Sequence, residues 1–234
     1  MVQVHPWDLS PQEAFAVQNE LAEQVERRPR LGPVRHVAGV DVSILDNQAR
    51  AAVVVLDLES LAPLDYAIAV GPVAFPYVPG LLAFREGPTV LEALGRLQRP
   101  PDLLIFDGQG LAHPRRLGIA SHIGLLADLP SIGCAKSLLT GRHDEPGPQP
   151  GDYAHLVDRG EVVGAALRTR AGTKPVYVSI GHRVDLETSI RYVLACCRGY
   201  RLPETTRWAH RVAGGETPPV GGQQAGQQPK LFDF

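Results

Sequence analysis

Short apolar runs separated by turn-forming residues occupy the segment from residue 36 to residue 73. The runs are rich in valine and isoleucine, as β-strands are, and Asp46-Asn47 begins the turn that follows the first of them. Strands this close together along a chain usually pair as antiparallel neighbours. The pattern therefore predicts a three-stranded antiparallel meander, with strands at 36–45, 49–58 and 62–73.

Helical periodicity precedes this meander and later alternates with short buried strands. Ser10 and Glu13 form a capping box around Pro11, which predicts a helix from there to about Arg28. Alternation of strand and helix in the middle of the chain predicts parallel strands covered by helices. The elements expected after the meander are helices at 87–97, 117–127, 186–197 and 204–212, strands at 102–110 and 131–136, and a hairpin of strands at 161–169 and 176–181.

The order of these elements predicts an α/β fold with a mixed sheet. An antiparallel meander followed by parallel strands, flanked by helices, is similar to the ribonuclease H-like fold. Residues 214–230 are rich in glycine, proline and glutamine, a composition that does not support a packed core. We therefore expect a single domain over residues 1–213 and a flexible C-terminal tail over residues 214–234.

Composition limits the class of protein and its compartment. Hydrophobic residues make up 44% of the chain and charged residues 21%, which excludes wholesale disorder. No apolar run reaches the roughly 18 residues that a membrane span needs, and the N-terminus lacks the apolar core of a secretory signal. Cys134, Cys196 and Cys197 form a poor disulfide framework. These features predict a cytoplasmic protein without a membrane partner, and the lack of a long heptad repeat predicts a monomer.

The net charge of −2 hides an uneven distribution. Residues 1–112 carry a net charge of −6, whereas residues 113–213 carry +5. A concentration of basic residues can mark a surface that binds phosphate groups, although an ordinary solvated face has the same composition. Charge alone leaves both interpretations open.

Three carboxylates stand where an apolar core would not place them. Asp41 lies in the middle of a predicted strand, Asp107 ends another, and Glu86 follows an apolar segment. Each could be a satisfied ion pair or a helix cap, because a buried charge needs a partner. Together they favour a hard-cation site, since Mg²⁺ prefers a few carboxylates with water and phosphate oxygens. Two carboxylates on neighbouring strands also suit metal-assisted phosphodiester hydrolysis.

A histidine on the last predicted helix is a further candidate. His210 shares a helix face with Arg207 and Arg211, while Trp208 and Val212 can turn to the core. It is either a surface histidine or a ligand or proton carrier at the rim of the acidic site.

Six stretches of the chain resemble the endonuclease V family, metal-dependent nucleases that act at deoxyinosine. They occur in the family's order and cover roughly residues 10–213, and the Pro-Tyr-Val-Pro-Gly and Asp-Gly-Gln-Gly segments are the most specific. The matching stretches are VAGVDVS (37–43), FPYVPGLLAFREGP (75–88), DLLIFDGQGLAHPRRLGIASHIG (102–124), IGCAKS (132–137), PVYVSIGHRVDLETSI (175–190) and YRLPETTRWAH (200–210).

The resemblance implies a reaction and the residues that perform it. The family's carboxylates fall on Asp41, Glu86 and Asp107, which would bind Mg²⁺ with Mn²⁺ as a substitute, and its catalytic histidine falls on His210. It implies DNA repair by hydrolysis of the second phosphodiester bond 3′ to deoxyinosine, leaving 3′-hydroxyl and 5′-phosphate ends. Inosine-containing RNA is the close alternative substrate. The chain could instead be a non-catalytic inosine-binding module, or a structure-specific nuclease that ignores inosine.

The resemblance also implies a pocket for an extruded base. Tyr77 is the wedge residue that would stack where the base leaves the helix, and Lys136 would contact the scissile phosphate. Arg115 and Arg116 are candidate phosphate clamps. His113 either bonds the extruded nucleotide or caps the following helix. The pocket itself would be built largely from the backbone of Gly80, Leu82, Gly108, Gly110, Gly118 and Ile119, because glycine lets a flat purine approach the main chain.

The C-terminal tail carries a candidate docking peptide. Gln228, Leu231 and Phe232 match the Gln-x-x-Leu-Phe pattern by which bacterial DNA enzymes bind the sliding clamp. A flexible tether with two apolar anchors suits that role. A frayed or self-packed C-terminus is the alternative.

Deletion of residues 226–234 is expected to abolish retention of the protein on an immobilised bacterial sliding clamp, since it removes both apolar anchors. A pull-down with purified clamp measures this. Lys230→Ala, at an unspecified position of the pattern, should be retained like the wild type. Equal retention of the truncated and full-length chains would rule out the tail as a clamp ligand.

Overall fold

A computed structural model describes residues 5–220 of the chain. Within that range one eight-stranded sheet is flanked by five helices. The helices are α1 (Pro11–Ala22), α2 (Leu82–Gly95), α3 (Ile119–Ala127), α4 (Leu186–Ala195) and α5 (Glu204–Ala213), and the strands are β1 (His36–Leu45), β2 (Gln48–Asp57), β3 (Pro63–Pro72), β4 (Leu103–Phe106), β5 (Ser131–Ala135), β6 (Tyr153–Asp158), β7 (Glu161–Leu167) and β8 (Val176–His182).

The sheet has the mixed topology that the sequence predicts. Its strand order is β3-β2-β1-β4-β5-β8-β7-β6. The first three strands form the antiparallel meander, β1, β4 and β5 pair in parallel, and β8, β7 and β6 return antiparallel. The predicted α/β class and mixed sheet are thus confirmed.

Two apolar layers enclose the sheet. On one face, α2 and α3 pack on the strands through Ala83, Val90 and Ile123. On the other face, Val193 of α4 and Val212 of α5 join the core. Strands β1 and β4 contribute apolar side chains to both layers, so both faces of the sheet centre are buried.

Two predicted helix boundaries differ from the structure by several residues. Helix α1 ends at Ala22 rather than near Arg28, and α2 begins at Leu82 rather than at Gly87. Pro88, the second residue of the predicted helix, lies inside α2. Burial of the apolar face of that helix offsets the single hydrogen bond that proline removes.

Strand β6 was not predicted. It lies at the sheet edge, where only one of its residues is fully buried, so it lacks the apolar signal of the inner strands. Arg159 and Gly160 join it to β7 in a two-residue turn, and both have positive φ angles.

The structure bears on the membrane prediction but not on the proposed clamp-binding peptide. Across residues 5–220, none of the helices has the length and apolar content that crossing a bilayer requires. The proposed clamp-binding residues Gln228, Leu231 and Phe232 lie outside the residues that the structure describes.

A glycine in β1 lets α5 lie directly on the sheet. A Cβ atom on Gly39 would come within 1.9 Å of the carbonyl oxygen of Thr205 in α5. Because that atom belongs to the backbone, no side-chain rotation can relieve the overlap. Gly39 therefore determines how closely α5, which carries His210, approaches β1.

Gly39→Ala should lower the free energy of unfolding by about 3 kcal/mol, because a methyl group has no space between β1 and α5. Urea unfolding followed by circular dichroism measures this. Gly95→Ala is the matched control, since a Cβ there meets nothing within 4 Å. That variant should change stability by about 1 kcal/mol or less. Equal midpoints for the two variants would contradict the close contact.

Candidate active site

Parallel pairing brings two of the predicted carboxylates together. Val40 of β1 pairs with Phe106 of β4, so the next residues, Asp41 and Asp107, lie side by side. The backbone N–H of Asp107 donates to the carbonyl of Val40 at 3.0 Å and continues the pairing. Both side chains are largely buried, and they are only 15% and 10% exposed.

Each of these carboxylates has one polar side-chain partner from another element. Nδ1 of His210 on α5 donates to Oδ2 of Asp41 at 2.9 Å. Nζ of Lys136, just after β5, lies 2.5 Å from Oδ2 of Asp107. Four of the predicted site residues, from β1, the ends of β4 and β5, and α5, thus converge beside the carboxyl ends of these central strands.

Glu86 reaches the same site from α2 on the other side. Burial raises its pKa to about 8, with the negative charge of Asp41 adding to the shift and Arg85 opposing it. Burial and then the charge of Asp107 also raise the pKa of Asp41, while its hydrogen bond with His210 lowers it. The three carboxylates therefore share one electrostatic environment, and their mutual repulsion is incompletely neutralised.

Three carboxylates are the kind of ligand that a hard divalent cation prefers, but their oxygens do not surround a common point in this conformation. Across residues 5–220, no three His, Cys, Asp or Glu side chains converge closely enough to hold a metal ion. His210 and Lys136 instead engage one oxygen each of Asp41 and Asp107. A divalent cation would relieve the repulsion among the carboxylates, but at least one side chain has to move before all three can ligate it.

A cavity of about 380 Å³ opens beside the carboxylates. Asp107 and Lys136 belong to both the carboxylate site and the cavity wall. Tyr77 lies at the mouth and is 73% exposed. The size is within the range of small-molecule sites. Of the predicted pocket residues, Gly80, Leu82, Gly108, His113, Gly118 and Ile119 also line the cavity, whereas Gly110, Arg115 and Arg116 do not.

Two helix N-termini point into this cavity without side-chain caps. Leu81 precedes α2 and Gly118 precedes α3, and neither residue has a side-chain acceptor that could cap its helix. The first N–H groups of a helix have no partner within it. Leu82 and Ile119, the first residues of the two helices, both line the cavity. The N–H of Ala120 donates to the carbonyl of Gln109 at 3.0 Å, so the donors left for a ligand are the backbone N–H groups of Leu82 and Ile119.

The structure gives His113 a role in the cavity wall. Burial lowers its pKa to about 4, so the ring is neutral near pH 7. Its Nε2 lies 2.9 Å from the carbonyl oxygen of Gly80, and its Nδ1 accepts from the backbone N–H of Arg115 at 3.2 Å. Because both ring nitrogens are engaged by the protein, His113 fixes the wall rather than bonding a ligand in this conformation.

The two candidate phosphate clamps are also engaged internally. Arg115 donates to the Gly80 carbonyl at 3.0 Å and stacks on Phe15, with 4.3 Å from its guanidinium carbon to the ring centroid. Arg116 forms ion pairs with Asp158 at 2.8 Å and Glu161 at 2.7 Å. The structure favours a role in positioning protein segments for both guanidinium groups.

Gly110 lies behind the cavity rather than in its wall. A Cβ atom there would lie 2.0 Å from the carbonyl oxygen of Ile180, so close backbone packing explains this glycine.

Sequence inspection missed several side chains of the cavity. Leu138 and Leu139 are exposed apolar residues at its wall, in a loop that follows Lys136. Two adjacent leucines in a non-periodic loop were the available signal. Gln109 donates from Nε2 to the carbonyl of Ser137 at 2.9 Å and joins that loop to the one after β4. Gln18, from α1, also lines the cavity and had no signal beyond its helical position.

Comparison with known proteins gives a consistent result. The model of the family described as Endonuclease V matches residues 19–211. Endonuclease V of Roseiflexus sp. (strain RS-1) is 60% identical over 208 residues, which cover 89% of this chain and 94% of the relative.

Solved structures extend the comparison to the fold. The crystal structure of endonuclease V from Streptomyces avermitilis superposes with a TM-score of 0.85 at 49% identity, covering 89% of this chain and 93% of that one. A variant of Ciona intestinalis endonuclease V superposes with a TM-score of 0.77 at 27% identity, covering 88% and 97%. That protein is in complex with a 23mer DNA containing an inosine followed by a ribo-adenosine. These relatives share a ribonuclease H-like fold with this chain.

The raised pKa of Glu86 predicts how the stability of the metal-free protein depends on pH. The folded state keeps this proton up to about pH 8, whereas the unfolded chain loses it near 4.5. The free energy of unfolding should therefore fall as pH rises from about 5 to about 8. In EDTA, Glu86→Gln should be more stable than the wild type at pH 8, by on the order of 3 kcal/mol, and similar at pH 5.

Urea unfolding at several pH values tests this. Glu92→Gln, on the exposed side of the same helix, should keep the wild-type pH dependence. A Glu86→Gln protein that follows the wild type at every pH would show that burial of this carboxylate has no energetic cost.

Proposed function

The chain belongs to the endonuclease V family of nucleases, and we propose that it is a metal-dependent endonuclease acting at deoxyinosine in DNA. It hydrolyses the second phosphodiester bond 3′ to the lesion and leaves 3′-hydroxyl and 5′-phosphate ends. The observation that carries this proposal is the shared wall between the carboxylate site and the cavity, formed by Asp107 and Lys136. A base held in the cavity keeps its own strand beside the carboxylates.

Asp41, Asp107 and Glu86 are the residues that hold the metal, with Mg²⁺ as the natural ion and Mn²⁺ as a substitute. When bound, a divalent ion polarises the phosphate and lowers the pKa of a coordinated water. Charge supports this assignment, because burial and the neighbouring carboxylates raise the pKa values of both Asp41 and Glu86. The cation supplies the positive charge that these buried side chains lack.

Lys136 contacts the scissile phosphate, and His210 takes part in proton transfer. Lys136 is partly exposed beside Asp107, so its ammonium group can transfer from the carboxylate to a phosphate oxygen. His210 is hydrogen-bonded to Asp41 through Nδ1, so Nε2 is the ring nitrogen left for proton exchange with the substrate or with water. Water attacks phosphorus and gives one proton to Nε2 of His210, the bond from phosphorus to O3′ breaks, and O3′ takes a proton from solvent water and leaves as the hydroxyl.

The cavity can distinguish hypoxanthine from adenine through its backbone. Hypoxanthine presents a carbonyl acceptor where adenine presents an amino donor, and an N1–H donor where adenine presents an acceptor. The uncapped N–H groups at Leu82 and Ile119 suit the carbonyl of hypoxanthine. Tyr77, exposed at the mouth, fills the space that the extruded base leaves.

RNA containing inosine is the second candidate substrate. The Ciona intestinalis complex contains a ribo-adenosine after the inosine, so that relative accepts a ribonucleotide at this position. A non-catalytic inosine-binding module is less well supported, because such a module needs no set of buried carboxylates. Deoxyinosine arises in DNA by deamination of adenine, so an enzyme that cuts beside it serves DNA repair. We propose that the protein does this as a monomer in the cytoplasm.

Asp41→Asn should reduce cutting of an inosine-containing oligonucleotide in Mg²⁺ by at least about a thousandfold, because it removes a metal-binding charge. Affinity for the same oligonucleotide in EDTA should be unchanged or increased. Gel analysis of a labelled strand measures cutting, and fluorescence anisotropy measures binding. Asp46→Asn, in the exposed turn of the same hairpin, is the matched control and should cut normally.

The same assay separates the rival functions. Binding by the wild type without cutting would favour the binding module. Faster cutting of an inosine-containing RNA would favour the ribonuclease, and cutting of undamaged flaps or mismatches would favour a structure-specific nuclease.

A further inference from the structure

Gln18 is a buried polar residue of α1 that has no part in the reaction described above. It is 1% exposed, yet it lines the cavity. Helix α1 lies outside the two layers that hold the carboxylates, and it contributes no charged group to them. A fully buried amide in such a position requires partners for all its polar atoms.

The partners of Gln18 determine the orientation of its amide group. Nε2 donates to the carbonyl oxygen of Gly80 at 2.9 Å and to that of Leu117 at 3.1 Å. Oε1 accepts from Nε of Arg115 at 2.5 Å. Both amide hydrogens face carbonyl oxygens, and the amide oxygen faces a guanidinium group. The reversed orientation would place the amide oxygen against the carbonyl oxygens and the amide N–H groups against the guanidinium N–H group.

The two carbonyl groups occupy equivalent positions in the two walls of the cavity. Gly80 is two residues before Leu82, the first residue of α2, and Leu117 is two residues before Ile119, the first residue of α3. One amide nitrogen therefore connects the two backbone segments that lead into the uncapped helices. The φ angle of Gly80 is +81°, a conformation that other residues rarely adopt, and its carbonyl oxygen lies within hydrogen-bond distance of Gln18, His113 and Arg115.

We propose that Gln18 is a positioning residue that sets the distance between the backbone donors of α2 and α3, and so determines how selectively the cavity accepts a purine. This inference rests on the proposed function for the identity of the ligand. Hydrogen bonds weaken steeply when their geometry departs from the optimum, so a small change in the spacing of two walls affects recognition more than folding.

Two substitutions separate the parts of this role. Gln18→Glu keeps the acceptor for Arg115 but places a carboxylate oxygen against two carbonyl oxygens. Gln18→Met keeps the approximate size and removes both kinds of hydrogen bond. Gln12→Met, at an exposed position of the same helix, is the matched control.

The first measurement is the selectivity of cleavage. The wild type, both Gln18 variants and Gln12→Met are compared on oligonucleotides with inosine or adenosine at one position. Both Gln18 variants should show kcat/KM for inosine lowered by at least tenfold, mainly through KM, and a smaller ratio of inosine to adenosine cleavage. A fall in kcat alone with the ratio preserved would overturn the proposal.

The second measurement does not depend on any substrate. Hydrogen–deuterium exchange should be faster in residues 79–83 and 116–120 of both Gln18 variants than in Gln12→Met, with the sheet strands unchanged. If the wild type fails to prefer inosine but this local effect is present, the proposed function is wrong and the bridging role stands. Uniformly faster exchange, or loss of cooperative unfolding, would show that Gln18 serves the fold as a whole and would overturn the proposal.

Discussion

Parallel pairing of β1 with β4 places Asp41 and Asp107 side by side in a largely buried position, and the rest of the site depends on that arrangement. Two carboxylates so close together repel each other, and burial strengthens the repulsion because water screens it less. Glu86 adds a third acidic group, whose pKa rises to about 8. The fold tolerates this cluster because packed helices and strands hold each backbone segment in place on both sides of the sheet.

The neighbouring elements satisfy the carboxylates only in part. His210 and Lys136 each engage one of them, and both are partly exposed side chains that can change partners. Gly39 permits α5 to lie close enough to β1 for the contact between His210 and Asp41. An acidic site with exchangeable partners is suited to taking up a divalent cation and a phosphate, whereas a fully paired cluster would be inert.

The cavity beside the carboxylates differs from them in presenting backbone groups rather than charged side chains. Its walls present backbone groups at the beginnings of α2 and α3, and buried polar side chains hold those walls from behind. Gln18, His113 and Arg115 all donate to the carbonyl of Gly80, which leaves none of the three free to contact a ligand through those atoms. Since Asp107 and Gly108 are adjacent in sequence, the carboxylate site and the cavity are joined by a single peptide bond.

The pattern of apolar and charged positions in the sequence was enough to predict the class of fold and the three acidic residues of the candidate site. Asp41 was evident because a charge in the middle of a valine-rich strand needs a partner, and the meander was evident from three closely spaced apolar runs. Edge strand β6 and the early start of α2 were not predicted, because edge exposure and an internal proline weaken local signals. Only the tertiary structure decided that Arg115, Arg116 and His113 are engaged internally and that Gln18 bridges the cavity walls. These roles arise from contacts between residues far apart in the chain, and hydrogen bonds of that kind leave no periodicity in the sequence.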